Sequence, residues 1–340
     1  MSGTDPLRVA VLGVGRIGSM HADVLAHDVP GATLVGVADA MPETAEVVAA
    51  KLGVPADDID KVLERDDVEA VAICSSTDTH VELMVDAAQA GKAILCEKPI
   101  SLDLPSVDRG LAAVAAAGVP LMVGFNRRFD PAHHSVREAV ASGSVGDPHL
   151  VRISSRDPEP PPLAYVRVSG GIFLDMTIHD FDMARFVTGS DVAEVYADGA
   201  VRIEPSFAEV GDIDTAVVTL RHENGCLTVI DNSRRSAYGF DQRVEVFGAR
   251  GMAASENPAA HTGVVRTSAG TRGSAQPYFF LERYSLSYQR EWAAFVDAVR
   301  RGTTPPVTGI DGRAPLVIGL AARRSLRERR PVRVAEIEAA

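Results

Sequence analysis

LRVAVLGVGRIG, residues 7–18, is the stretch from which the architecture is read. Leu7 to Leu12 is a short apolar run with the character of a strand, and Arg16 to Ala26 has helical periodicity. Between them, Gly13-Val14-Gly15-Arg16-Ile17-Gly18 spells GxGxxG. The spacing alone is a weak signal; a strand before it and a helix after it give it meaning. Gly13 permits a tight turn, Gly15 lets backbone approach a pyrophosphate, and Gly18 lets the helix pack close to the sheet. Arg16 and Ile17 open a helix whose N-terminus offers unpaired N–H groups and a positive dipole end to phosphates. A glycine turn that holds no cofactor is the plainer alternative.

The alternation continues outward from this turn. Ala32–Ala38, Val68–Cys74, Ala93–Cys96 and Pro120–Gly124 read as strands, and Pro42–Leu52, Thr79–Ala90 and Pro105–Ala117 as helices. Strands alternating with helices predict a parallel, doubly wound α/β sheet. The second strand ends in Asp39, 21 residues beyond Gly18, where an acid would bond the adenosine ribose hydroxyls and repel the extra phosphate of NADP. Ala40 follows it rather than an arginine, so the expected cofactor is NAD. A turn or capping role ahead of Pro42 is the alternative for Asp39.

After Gly124 the pattern changes. A helix from Asp130 to Ala141 precedes alternating runs at His149–Ser154, Val192–Ile203, Thr215–Leu220, Cys226–Asp231 and Arg243–Phe247, which predict a large, mostly antiparallel open sheet. Helices are expected over Gly171–Val187, Ser285–Arg301 and Gly312–Arg329. DPEPPP, residues 157–162, is too proline-rich for regular structure and reads as a loop, either crossing a cleft or simply connecting in solvent. With 340 residues, two domains are expected: a dinucleotide-binding Rossmann domain over 1–124 and an α+β substrate-binding and oligomerisation domain over 125–340.

Composition narrows the partners. The chain is 46% hydrophobic and 24% charged, ordinary for a globular protein, and its net charge of −12 makes nucleic acid a poor partner. The longest mostly apolar stretch, Leu111–Phe125, is too short for a membrane span and is broken by Gly118 and Pro120. The N-terminus lacks the basic start and cleavage site of a signal peptide. Cys74, Cys96 and Cys226 are odd in number with no CxxC spacing, so neither a disulfide framework nor a cysteine metal site is expected, and a reducing cytoplasm fits.

Glu97-Lys98-Pro99 follows the strand AILC, at the carboxyl end of a parallel strand, where doubly wound folds bind ligands. A lysine there can bond a substrate hydroxyl and ease its deprotonation. Taken by itself, the tripeptide is better read as a surface lysine paired with Glu97. Together, the glycine turn, GKAILCEKPIS (91–101) and the sheet region afterwards resemble the Gfo/Idh/MocA family of nicotinamide oxidoreductases. Within that family, GFNRRFDPAH (124–133), SRDPEPPPLAYVRVSGGIFLDMTIHDFDMARF (155–186) and RRSAYGFDQRVEVFG (234–248) are most similar to inositol 2-dehydrogenases. The resemblance covers essentially the whole chain. It implies oxidation of a cyclic polyol, with myo-inositol foremost and scyllo-inositol or another sugar as alternatives, by an enzyme that is a tetramer or dimer. An NAD-sensing relative without catalysis is the reading from another class.

GGIFLDMTIHDFDMARF (170–186) carries Asp175, His179 and Asp182 at i, i+4 and i+7, so one helix face is expected to carry all three, with Asp180 pointing elsewhere and structural. Their neighbours Ile172, Phe173, Met176, Ile178, Phe181, Met183 and Phe186 are apolar, so these polar groups must be paired or used. Half of a zinc site lacks a third nitrogen or sulfur ligand nearby, so no metal is expected; a core histidine bonded to an acid is the other alternative. A histidine titrating near pH 6.5 suits reversible proton transfer. The resemblance implies the catalytic trio Lys98, Asp175 and His179: His179 as base, Asp175 orienting substrate and imidazole, Lys98 holding the reacting oxygen. It also implies cofactor contacts by Ser75, Thr77 and His80, with Glu97 beside them. Arg127, Asp157, Asp182 and Tyr238 are the remaining candidate substrate contacts, and Phe240 stands where inositol dehydrogenases often have a second tyrosine.

Overall fold

In the computed structural model, which describes residues 5–339, the strands β1 (Leu7–Leu12), β2 (Ala32–Ala38), β3 (Ala70–Ile73), β4 (Ala93–Glu97) and β5 (Leu121–Gly124) form one parallel sheet. Their order is β2-β1-β3-β4-β5. β3, β4 and β5 are buried along their whole length, as strands covered on both faces must be. The order reverses between β1 and β3, which puts a ligand crevice at the carboxyl ends of those two strands. Gly13 follows β1 and Ser75 follows β3, so the expected glycine turn lies at this switch point.

By contacts the chain divides into two units, and the division differs from the one expected at residue 124. The first unit runs to Asn126 and takes back Leu286–Leu316; the second holds Arg127–Ser285 and the residues from Val317 onward. The reason for the return is an amphipathic helix, Ser285–Arg301, whose Tyr288, Trp292, Phe295 and Val296 are buried at helical spacing. Arg300 on the same helix makes a two-pronged ion pair with Glu69 at 2.8 and 3.0 Å, ahead of β3.

The second unit is built on a seven-stranded sheet, β11-β10-β6-β9-β8-β7-β14, comprising β6 (Pro148–Arg156), β7 (Val192–Ala200), β8 (Thr215–His222), β9 (Leu227–Ser233), β10 (Asp241–Gly248), β11 (Gly251–Ser255) and the short β14 (Val332–Arg333). Only β6 and β9 pair in parallel, so the expected mostly antiparallel sheet is the one formed. Alternate residues Val151, Ile153, Val218, Leu220, Ile230, Val244 and Val246 turn inward onto Phe173, Phe181, Met183 and Val187. The other face carries exposed Tyr196, Val217, Leu227, Val229 and Phe247. β12 (Val264–Thr267) and β13 (Gly270–Gly273) form a separate exposed hairpin.

Two expected elements are cut short for visible reasons. β7 stops at Ala200 instead of Ile203 because the Asp214 carboxylate takes the N–H groups of Arg202, Ile203 and Glu204 at 2.7–2.9 Å, removing them from the ladder. The helix expected over Gly171–Val187 is two helices, Gly171–Asp175 and Ile178–Thr188. Between them Thr177 is fully buried, and its hydroxyl donates to Asn232 on β9 at 2.7 Å, pinning the break. Among the described residues no helix is long and apolar enough to cross a membrane.

Candidate functional site

The residues of interest fall into two groups, one in each unit. In the first unit the three glycines differ in their surroundings. Gly13 has φ +86°, and a Cβ on it would lie 2.5 Å from Ser75 Cα. A Cβ on Gly18 would collide with the Gly13 carbonyl oxygen. A Cβ on Gly15 would meet nothing within 4 Å. Gly13 and Gly18 are thus needed to bring turn, sheet and helix together, whereas Gly15 leaves open space before the Arg16–His27 helix. That helix has no side-chain cap, so its first N–H groups suit the oxygens of a pyrophosphate. Arg16 is exposed and Ile17 half-buried in its first turn.

Asp39 is held beside the turn: Oδ2 accepts the Val14 N–H at 2.7 Å and Oδ1 the Met41 N–H at 2.9 Å. This orients the carboxylate while lone pairs remain for a diol. Ser75 Oγ bonds Thr79 Oγ1 at 2.7 Å, and Thr77 begins a single 3₁₀ turn ending at Thr79. His80 corrects its expectation as a cofactor contact. Its ring is buried, with Nδ1 2.9 Å from the Pro99 carbonyl and Nε2 3.1 Å from that of Ser75, so it ties the β3 and β4 loops together. Burial holds its pKa below the usual histidine value.

Glu97 closes β4 and is likewise corrected. Its carboxylate is buried, with Oε1 2.8 Å from His21 Nε2 and Oε2 accepting the Lys98 N–H at 3.2 Å, so it faces protein donors rather than a cofactor. Lys98 is half-buried and precedes a cis peptide bond to Pro99.

In the second unit Asp175 ends the Gly171–Asp175 helix. Tyr165 donates to its Oδ1 at 2.8 Å and Arg234 to its Oδ2 at 3.2 Å. His179 lies in the first turn of the next helix and is half-buried. Asp157 belongs to the same charged group: burial raises its carboxyl to about 6, Arg234 opposing that rise and Asp175 adding to it.

Three other expectations change. Asp182 is buried and takes three hydrogen bonds from Arg128 at 2.6–3.1 Å, so it is an internal ion pair and not a polyol contact. It parts from Asp175 because the broken helix destroys the single face assumed for the stripe. Arg127 is also internal: its Nη1 donates to Asp180 at 2.7 Å and to Ser155 at 3.0 Å. Asp180 is completed by Ser155 and Asn232, which donate to it at 2.6 and 2.8 Å. Tyr238 is exposed, but its hydroxyl is engaged, donating to Asp241 at 2.6 Å and accepting from Arg156 at 2.9 Å. Phe240 is core, its ring packed edge-on to Tyr284 at 5.8 Å, so no hydroxyl replaces the missing one there.

Arg234, Tyr165 and Asp212 escaped the sequence reading. Arg234 is only 1% exposed and stacks over Phe207, with Nε and Nη2 making no hydrogen bond. Asp212 accepts the Ile172 N–H, and burial pushes its carboxyl up. In sequence, Arg234 looks like any arginine at a strand end; only the closed fold surrounds it with Asp157, Asp175 and Asp212. Such a group, an oriented carboxylate with an imidazole from the next helix, suits the binding and deprotonation of a hydroxylated ligand.

Comparison with known proteins agrees. A sequence model described as the oxidoreductase family, NAD-binding Rossmann fold, matches residues 7–125, and one for the GFO/IDH/MocA C-terminal domain matches 133–254. The chain is 48% identical over 333 residues to a myo-inositol 2-dehydrogenase of Thermotoga maritima, covering 97% of this chain and 99% of that one. It is 44% identical over 329 residues to an inositol 2-dehydrogenase of Rhizobium meliloti, again covering 97% and 99%. The structure of scyllo-inositol dehydrogenase from Lactobacillus casei with bound NAD(H) and scyllo-inositol superposes with a TM-score of 0.90 at 28% identity, covering 97% of this chain and 100% of that one.

Proposed function

The chain belongs to the Gfo/Idh/MocA family of NAD-binding oxidoreductases, and from that premise we propose that it oxidises a secondary alcohol of a cyclic polyol, myo-inositol to its 2-keto product. The observation that carries this reading is the full-length similarity to inositol 2-dehydrogenases. When bound, NAD supplies nicotinamide C4 as the hydride acceptor. The open space at Gly15, the uncapped helix and the oriented Asp39 fit such a cofactor. We assign the hydroxyl proton to the imidazole of His179. Lys98 hydrogen-bonds the reacting oxygen and stabilises its alkoxide character. Asp175, fixed by Tyr165 and Arg234, retains lone pairs for a substrate hydroxyl. Asp157 is a second acceptor for vicinal hydroxyls.

The test is a polyol panel with NAD and NADP in parallel. Reduced-nicotinamide absorbance should rise with NAD and myo-inositol. Silence across every inositol and sugar would refute the reading and favour a sensor. A higher kcat/KM for scyllo-inositol would move the substrate assignment, which the missing hydroxyl at Phe240 makes a specific alternative. In the same assay Asp39→Ala should weaken NAD and narrow its advantage over NADP, because the group that repels the 2′-phosphate is gone. An unaltered ratio of the two kcat/KM values would remove Asp39 from cofactor selection.

We infer also a homo-oligomer, a tetramer or dimer, formed through the outer face of the second sheet, where Val217, Leu227, Val229 and Phe247 are exposed. Light scattering on the purified protein reads the subunit number directly. A reducing cytoplasmic setting is supported by Cys74, Cys96 and Cys226, all buried thiols.

A further inference from the structure

The reaction described so far gives no role to the Ser285–Arg301 helix, yet that helix is built into the first unit and reaches Glu97 through a single histidine. Trp292 Nε1 donates to His21 Nδ1 at 2.9 Å. His21 Nε2 lies 2.8 Å from Glu97 Oε1, and Glu97 Oε2 accepts the Lys98 N–H at 3.2 Å. An indole N–H can only donate. His21 Nδ1 must therefore offer a lone pair, and the single ring proton sits on Nε2, directed at Glu97. The ring is fully buried and boxed edge-on by Tyr288 at 5.4 Å and Trp292 at 5.8 Å.

Glu291, one residue before Trp292, reinforces the arrangement. It is fully buried, and neither of its oxygens has a hydrogen-bond partner. Burial, with the charge of Glu97 beside it, pushes its carboxyl well up. Burial thus favours the neutral form of Glu291, while the His21 and Lys98 N–H groups favour the charged form of Glu97.

We propose that Trp292, His21 and Glu97 are positioning residues for Lys98: a one-way chain of N–H donors fixes the Glu97 carboxylate, which holds the main chain of Lys98 and so aims its ammonium. The proposal rests on the reading of Lys98 as the group that binds the reacting oxygen. It explains why a helix more than 180 residues further along the chain is taken back into the nucleotide-binding unit.

Direction is what distinguishes such a chain from ordinary packing, and Glu97→Gln tests it. The amide has one accepting and one donating end, so it cannot accept from both His21 and Lys98. Either its NH₂ opposes the Lys98 N–H, or it opposes His21, whose proton must then move to Nδ1 against the Trp292 N–H. Trp292→Phe removes that last obstacle. Glu97→Gln is expected to lower kcat on the order of tenfold to a hundredfold, with a smaller change in the Kd for NAD. The double variant Glu97→Gln/Trp292→Phe should turn over faster than Glu97→Gln alone. Imidazole ¹⁵N spectra of histidine-labelled protein, with His21 assigned by its loss in His21→Asn, should show the proton on Nε2 in the wild type and on Nδ1 in the double variant.

A double variant as slow as the product of the two single losses would overturn the proposal, as would a wild-type His21 protonated on Nδ1. If melting curves show that the variants do not fold, the wild-type spectrum decides alone. A wild type inactive on every polyol would instead fail the dehydrogenase reading, with the His21 tautomer still testing the chain.

Discussion

Lys98→Ala is expected to lower kcat by about 10²–10³-fold, the loss found when one donor to a developing oxyanion is removed. The residue follows the buried strand β4, at the carboxyl end of the parallel sheet where doubly wound folds bind ligands, and its main chain is held by Glu97. An ammonium at the reacting oxygen matters little to the neutral alcohol and most to the alkoxide-like transition state. Both kcat and kcat/KM should therefore fall, the signature of an interaction made only in the transition state. NAD affinity, measured by fluorescence titration, should survive, since the glycine turn and Asp39 are untouched. Lys98→Arg is the useful control. It retains the charge but replaces a compact, rotatable donor with a planar fork, and it should recover only a fraction of turnover. Wild-type kcat in Lys98→Ala would remove this lysine from the chemistry.

The first unit was legible because its signals are local. A strand, a glycine turn and a helix lie within a dozen residues, and the acid that ends β2 needs only the alternation of strands and helices to be placed. The second unit was harder because its decisive interactions are long-range. The polar stripe of 175–182 assumed an unbroken helix, and nothing within those residues signals the break: Thr177 stops the helix through Asn232, 55 residues away. Arg127, just beyond β5, was a candidate substrate contact, but like its neighbour Arg128 it is paired internally. Their partners, Asp180 and Asp182, become visible only when the Asn126–Phe129 turn and the Ile178–Thr188 helix meet. Lys98, Asp157, Asp175 and His179, which the proposed function uses, come at strand or helix ends, whereas His80, Glu97, Arg127 and Asp182 are held in buried pairings. The return of Leu286–Leu316 to the first unit was hidden for the same reason. Amphipathic periodicity shows that a helix has a buried face but not which core receives it.

The contrast between Asp175 and Asp182 makes the second large effect. Asp182→Ala should destabilise the protein by about 3–5 kcal/mol, because it removes the carboxylate that pairs with the buried Arg128 guanidinium. Three hydrogen bonds from Arg128 would be lost at once, and the stacking of the guanidinium over Phe186 at 5.3 Å does not replace them. Against a total stability of roughly 5–15 kcal/mol this is a large share. At 2–4 °C per kcal/mol for a domain of this size it corresponds to a fall in Tm of roughly 6–20 °C. Replacing both partners by apolar groups, Arg128→Met with Asp182→Leu, should recover much of that loss, since the penalty comes from one charge left alone and not from the absence of the pair. Asp175→Asn should behave in the opposite sense. The Tyr165 hydroxyl can turn to accept from an amide NH₂ while Arg234 still donates to the amide oxygen, so the fold tolerates Asn there while kcat falls with the loss of the charge facing the substrate. Calorimetric melting and polyol kinetics on the same preparations separate the two. If Asp182→Ala melted with the wild type and lost only affinity for polyol, the ion pair would be dispensable and Asp182 would return to the substrate site.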